Sequence, residues 1–139
     1  MEYPLLDTSV FSTYKKQIDA NFDSFHFSVV VFYELTASLI DESTMKKYEY
    51  WLKVLDKADK LLIPTKTDWT IAAKAVRRLR HLKLIDKNLS PTALQNDALI
   101  ARSSYLHKCF VVTDNIRDYA LLQKVMPRLE VIPAAEFFN

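Results

Sequence analysis

Short apolar runs alternate with longer amphipathic segments along this chain, and that alternation limits the architectures open to it. Residues 3–6, 25–28, 61–63, 109–112 and 130–132 have the length and residue types of strands. Helices are predicted over residues 9–20, 29–40, 43–60, 67–83, 92–107 and 119–125, with a short tail at 134–138. Val29 to Tyr33 are strand formers, but the length of the run and its continuation through Glu34 to Leu39 favour helix, with Ser28 as its cap. Thr67 or Asp68 is expected to cap the fourth helix, and residues 87–91 break the pattern before the fifth. In that fifth helix Leu94, Ala98, Ile100, Ala101 and Leu106 are expected on the buried side. Strands alternating with helices predict an α/β chain, a three-layer α/β/α arrangement around a central, mostly parallel sheet. Such sheets bind ligands at the carboxyl ends of their strands. With 139 residues and no repeat or linker, a single domain over 1–139 is expected.

Half of the residues are hydrophobic, enough to bury a core, and 26% are charged, as on an ordinary soluble surface. No stretch approaches the roughly 20 apolar residues of a membrane span, and the N-terminus lacks a signal-peptide pattern, so a cytoplasmic protein without a membrane partner is expected. Cys109 is the only cysteine, which excludes an intramolecular disulfide and reads as a small buried hydrophobe beside Phe110. Glycine is absent, which excludes both the dinucleotide fingerprint and the P-loop. A net charge of +2 neither announces nor excludes a nucleic-acid partner.

Acids stand in places where a bland surface would not put them. Asp7 directly follows the first strand, Glu34 lies within an apolar run, and Asp97 interrupts the stretch from Leu94 to Ala101. Asp114, Asn115 and Asp118 follow the strand that ends near Val112. Each acid has an ordinary alternative: Asp7 as a helix cap, Glu34 as the partner of a buried cation, Asp97 and Asp118 as surface residues. Together they suit Mg²⁺, which binds hard oxygens through one or two carboxylates plus waters and substrate phosphate. Clustered acids raise one another's pKa unless a cation neutralises them, and a metal so held can activate water against a phosphodiester. His26, His81 and His107 have no mutual metal-ligand spacing and read as non-catalytic.

Four segments, in order, resemble the motifs of PIN-domain nucleases. Leu5-Leu6-Asp7-Thr8-Ser9-Val10 resembles the opening strand followed by Asp-Thr/Ser-Ser/Asn. Ser28-Val29-Val30 leading to Glu34-Leu35 resembles the second motif, and Asn96-Asp97-Ala98-Leu99-Ile100-Ala101 the third, Asp-x-x-Ile-Ala. The segment from Val111 through Thr113, Asn115 and Asp118 to Tyr119 resembles the fourth, Thr-x-Asn-x-x-Asp-Phe. The resemblance spans nearly the whole chain, and length and motif style are most similar to VapC-type toxins of toxin–antitoxin pairs. It implies a PIN-like fold and a Mg²⁺-dependent endoribonuclease, with Mn²⁺ as a possible substitute. Asp7 and Asp97 would be principal ligands, Glu34 would support them or align water, and Thr113 would position waters or a neighbouring acid. Asp118 and Asn115 match the family's last acid and amide, and which of Asp114, Asn115 and Asp118 supplies the fourth group stays open. Related domains carry an acid where this chain has Asn115, which lowers the site's negative charge by one.

The resemblance also implies an RNA substrate, a cognate antitoxin seated in a groove near residues 29–40 and 48–55, and a homodimer. A basic antitoxin side chain among the acids would disturb the metal. Lys74, Arg77, Arg78 and His81 recur at helical spacing, with Arg80 and Lys83 nearby; this is either a phosphate-contacting face or, the favoured reading, a solvated one. Arg102 could contact RNA or hold a carboxylate. The rival function is a catalytically inactive PIN-like module that binds RNA or protein. A receiver-like phosphoacceptor domain would want paired acids after the first strand, and only one follows it here.

Overall fold

A computed structural model describes residues 2–86, 92 and 94–139. Among the described residues five strands, β1 (Tyr3–Leu6), β2 (Phe27–Ser28), β3 (Leu61–Leu62), β4 (Cys109–Thr113) and β5 (Val131–Pro133), are interspersed with seven α-helices. The helices are α1 (Lys15–Asn21), α2 (Val29–Ala37), α3 (Glu42–Lys57), α4 (Lys66–His81), α5 (Gln95–Leu106), α6 (Ile116–Gln123) and α7 (Ala134–Phe137). β1, β4 and β5 form one parallel sheet with β4 central, and β2 pairs with β3, also in parallel. A bridge between Leu5 and His26 joins the two, giving the spatial order β3-β2-β1-β4-β5. The order reverses between β1 and β4, so a crevice opens at the carboxyl ends of those two strands. The expected α/β architecture, a parallel sheet flanked by helices, is what the chain adopts.

The core follows from the apolar runs. Leu5, Leu6, Phe27, Val111 and Val112 are buried on the sheet, and Ile18, Leu55, Leu79, Leu99, Ile100 and Leu122 close over it from the helices. Cys109 is buried as expected, and burial pushes its thiol up to about 11. Among the described residues no helix is long and apolar enough to cross a membrane.

Several boundaries differ from the sequence reading, each for a local reason. The first predicted helix is broken: Thr8–Phe11 form a 3₁₀ turn and α1 starts only at Lys15. The turn buries Val10 and Phe11 while its hydroxyls serve the acids described below. α4 is capped by Thr65, not Thr67 or Asp68; Thr65 accepts from the Asp68 N–H and Asp68 accepts from the Thr65 N–H, a reciprocal capping box. α5 starts at Gln95, and Leu106, at its exposed end, is 44% accessible rather than buried. The predicted break at residues 87–91 lies outside the described residues. The tail is a short helix, α7.

A chain without glycine must still end its helices. Asp59, Lys83 and Lys108, just past α3, α4 and α5, take φ of 57°, 58° and 60°. After α3 and α4 the turn is a Schellman closure: Lys60 N–H donates to Leu55 C=O and Leu84 N–H to Leu79 C=O, both across five residues. Polar side chains therefore occupy left-handed positions that glycine fills at lower cost.

Candidate active site

β1 and β4 run in register, Leu6 opposite Val112, so the residues that leave them meet on one side. The Asp7 N–H still donates to Val112 C=O at 3.0 Å, which sets Asp7 at the mouth of the β1/β4 crevice. The residue is 3% exposed and its carboxylate makes no cap bond to the turn that follows, so the ordinary alternative for Asp7 fails. Instead Oδ2 accepts from the hydroxyls of Ser9 (2.8 Å) and Thr113 (2.9 Å), and Oδ1 from Tyr119 (3.1 Å). Ser9 in turn accepts from the Asp114 N–H and Thr113 from the Asn115 N–H, tying the β1 exit to the β4 exit.

Glu34 stands on α2, whose first turn is capped by Ser28 accepting from the Val30 N–H. Its partner is not a buried cation but the Thr8 hydroxyl, which donates to Oε1 at 2.7 Å. Asp97 lies in the first turn of α5, and Asp118 in the first turn of α6. The Asn115 amide bridges them, donating to Asp97 at 3.2 Å and Asp118 at 2.9 Å. Asp114 is exposed, and its part here is the backbone N–H given to Ser9.

Three of these carboxylates act on the fourth. Asp97 is raised to about 8, first by burial, then by the charges of Asp7, Asp118 and Glu34, with only the Asn115 hydrogen bond opposing. Asp97 is half-buried and turned toward the Asn115 amide rather than being an ordinary surface residue. Burial, followed by the charges of Asp7 and Asp97, also holds the Tyr119 phenol protonated, well above its usual range. Every hydrogen bond described to these carboxylates comes from a neutral hydroxyl or amide. The cluster's negative charge is therefore left for something else to balance.

A raised pKa has a stability consequence. Asp97 gains its proton on folding, so its stabilising contribution is complete below the unfolded value near 3.8 and is lost as pH rises through about 8. In EDTA the unfolding free energy should fall by about 2 kcal/mol between pH 6 and pH 9, roughly 5–10 °C in midpoint. Calorimetry at those two pH values tests it; a flat midpoint would place Asp97 in an ordinary solvated environment.

Among the described residues no group of three or more His, Cys, Asp or Glu side chains is arranged so that it could hold a metal ion by itself. A cation would have to be shared by fewer carboxylates, with water or phosphate completing its shell, which is the mode Mg²⁺ favours. The uncompensated carboxylates and their neutral donors fit that demand.

The other candidates lie elsewhere. Lys74, Arg77, Arg78, His81 and Lys83 are exposed on and just after α4, where a cleft of about 320 Å³ runs between α4 and α5 with Trp69 and Arg77 on its walls. Arg102 does hold a carboxylate, but that of Asp68: Nε donates to it at 3.0 Å. His26 and His107 precede β2 and β4, and they line a cavity of about 350 Å³ with Tyr3 and Lys60 at the opposite ends of the strands from the acids. Sequence reasoning passed over Ser9, Thr8 and Tyr119 as site residues. The signal for Tyr119 was available, since the resembled motif has Phe there and a hydroxyl inside a core needs a partner.

No protein-family model and no curated protein sequence matches the chain. Solved structures do. A chain of the DNA-bound VapBC complex from Salmonella typhimurium superposes with a TM-score of 0.62, at 18% identity, over 96% of this chain and 99% of that one. The fold is PIN-like. A chain of FitAcB from Neisseria gonorrhoeae gives 0.61 at 19% identity, over 93% of this chain and 96% of that one. One from VapBC-1 of nontypeable Haemophilus influenzae gives 0.56 at 17% identity, covering 95% and 98%. At such identities the likeness is one of fold, and the PIN-like crevice is where Asp7, Glu34, Asp97 and Asp118 gather.

Proposed function

We propose that the chain is a metal-dependent endoribonuclease domain over residues 1–139, the toxin of a toxin–antitoxin pair, which hydrolyses RNA phosphodiester bonds at this cluster. The observation that supports the reading is the meeting of four carboxylates from four separate segments, with neutral hydrogen-bond partners, at the point where strand order reverses. Asp7 and Asp97 would hold Mg²⁺, or Mn²⁺ in its place, with Asp118 and Glu34 beside them. When bound, the ion supplies polarisation of a phosphoryl oxygen and a water of lowered pKa. The protein's part is orientation. Three hydroxyls fix Asp7, the Asn115 amide sets the spacing of Asp97 and Asp118, and Thr8 aims Glu34.

An apolar recess of about 440 Å³, lined by Val29, Phe32, Tyr33, Thr36, Ala37 and Leu52, lies between α2 and α3, on the helix that carries Glu34. It suits an amphipathic antitoxin segment, from which a basic side chain would reach the acids and displace the cation. The similarity in fold to chains of VapBC and FitAcB complexes supports such a partner. A homodimer belongs to the same reading.

The test is incubation of a mixed RNA pool with purified protein in Mg²⁺ or Mn²⁺, with and without chelator, beside Asp7→Asn. Cutting that needs the metal and disappears in the variant is expected. No cutting by folded protein under either metal would favour an inactive module that binds RNA or protein.

A further inference from the structure

Tyr119 lies wholly inside the protein on α6, one residue after Asp118, and its hydroxyl donates to Asp7 Oδ1 at 3.1 Å. Phenylalanine, the residue of the resembled motif, would fill the same volume. A phenolic hydroxyl withdrawn from water is costly without a partner, so the extra oxygen needs an acceptor, and the acceptor is Asp7.

The division of labour around Asp7 is uneven. Oδ2 accepts from both Ser9 and Thr113, so either hydroxyl could lapse and the other would still hold that oxygen. The hydrogen bond to Oδ1 comes from Tyr119. Together the three donors hold the plane of the carboxylate, and Tyr119 sets its Oδ1 end. Since α6 also presents Asp118, and the residue before α6, Asn115, bridges Asp118 to Asp97, one short helix registers Asp7 against the other two acids.

We propose that Tyr119 is a positioning residue: its hydroxyl, reaching Asp7 from α6, fixes the orientation in which Asp7 meets a divalent cation. The inference rests on the nuclease reading above. Tyr119→Phe keeps the ring and removes the oxygen. Outer-shell partners of a metal ligand are commonly worth 10–100-fold in affinity or activity. In this variant the Mn²⁺ dissociation constant, by isothermal titration, should rise about 10-fold, and kcat on RNA should fall by a similar factor with KM unchanged. Its unfolding midpoint in EDTA should stay within a few degrees of the parent. Leu122→Val, a change in the buried core of the same helix, serves as the control; it should lower the midpoint and leave Mn²⁺ affinity alone.

Unchanged Mn²⁺ affinity and kcat in Tyr119→Phe would overturn the inference and leave the nuclease reading standing. Equal loss of Mn²⁺ affinity in Leu122→Val would also overturn it, by assigning the effect to loosened packing. A parent protein that neither binds Mn²⁺ nor cuts RNA would overturn both.

Discussion

Asp97→Asn should abolish RNA cleavage and, in the same protein, raise the unfolding midpoint in EDTA. If Asp97 holds the cation as proposed, its loss removes several kcal/mol of transition-state charge stabilisation, so a fall in rate of at least about 100-fold is expected. Stability should move the other way. The wild-type carboxyl is held up at about 8 by burial and by Asp7, Asp118 and Glu34, so at pH 8 folding works against its ionisation. An amide there carries no charge and can still accept from Asn115. A gain of about 2 kcal/mol at pH 8 follows, shrinking toward pH 6, because the amide does not titrate and this source of the pH slope is gone. Saturating Mg²⁺ should stabilise the parent and leave the variant nearly untouched. Cleavage with midpoint unchanged in Asp97→Asn would remove Asp97 from the centre of the site.

Arg102→Met should destabilise the fold by about 3–5 kcal/mol, the range for removing one partner of a buried ion pair. The Asp68 side chain is 3% exposed and that of Arg102 14%. Burial alone would push Asp68 up, but the Thr65 N–H, the Arg102 guanidinium and the Thr65 hydroxyl reverse this and lower its pKa. Arg102 also donates to the Tyr105 hydroxyl at 3.0 Å, and Arg128 lies over the Tyr105 ring, 5.1 Å from its centre. Methionine keeps much of the apolar stem but strands Asp68 between α4 and α5 without its cation. Because Asp68 is lowered in the fold, the pair stabilises above the unfolded value near 3.8 and its contribution is lost as pH falls through the folded value. Urea unfolding at pH 7 and pH 3 measures both parts. A deficit below about 1 kcal/mol at pH 7 would mean that the capping box alone keeps Asp68 satisfied. Cleavage of RNA by the surviving folded fraction should match that of the parent, which would separate this arginine from the carboxylate cluster.

Much of this protein is written locally. The apolar runs mark β1, β3 and β4 to within a residue or so, since a strand buried on both faces must be continuously hydrophobic. Acids beside such runs are conspicuous for the same reason, so Asp7, Glu34 and Asp97 stand out before any folding is considered. The cap of α2 is equally local, a serine accepting from an N–H two residues on. The break after Phe11 was not legible, because the Thr8 hydroxyl serves Glu34, 26 positions away, and the Ser9 hydroxyl is shared between Asp7 and the β4 exit. The Ser9–Thr113 and Tyr119–Asp7 contacts join residues more than a hundred positions apart. Likewise the partner of Arg102 lies 34 positions away, while Asp97, five away and more obvious in the sequence, faces another side of the helix. Composition, alternation and residue type single out the candidate side chains and the elements that present them. Which oxygen meets which hydroxyl, which acid holds a proton, and which cation is already committed depend on long-range packing, because hydrogen bonds and charge interactions act over distances that chain position does not encode.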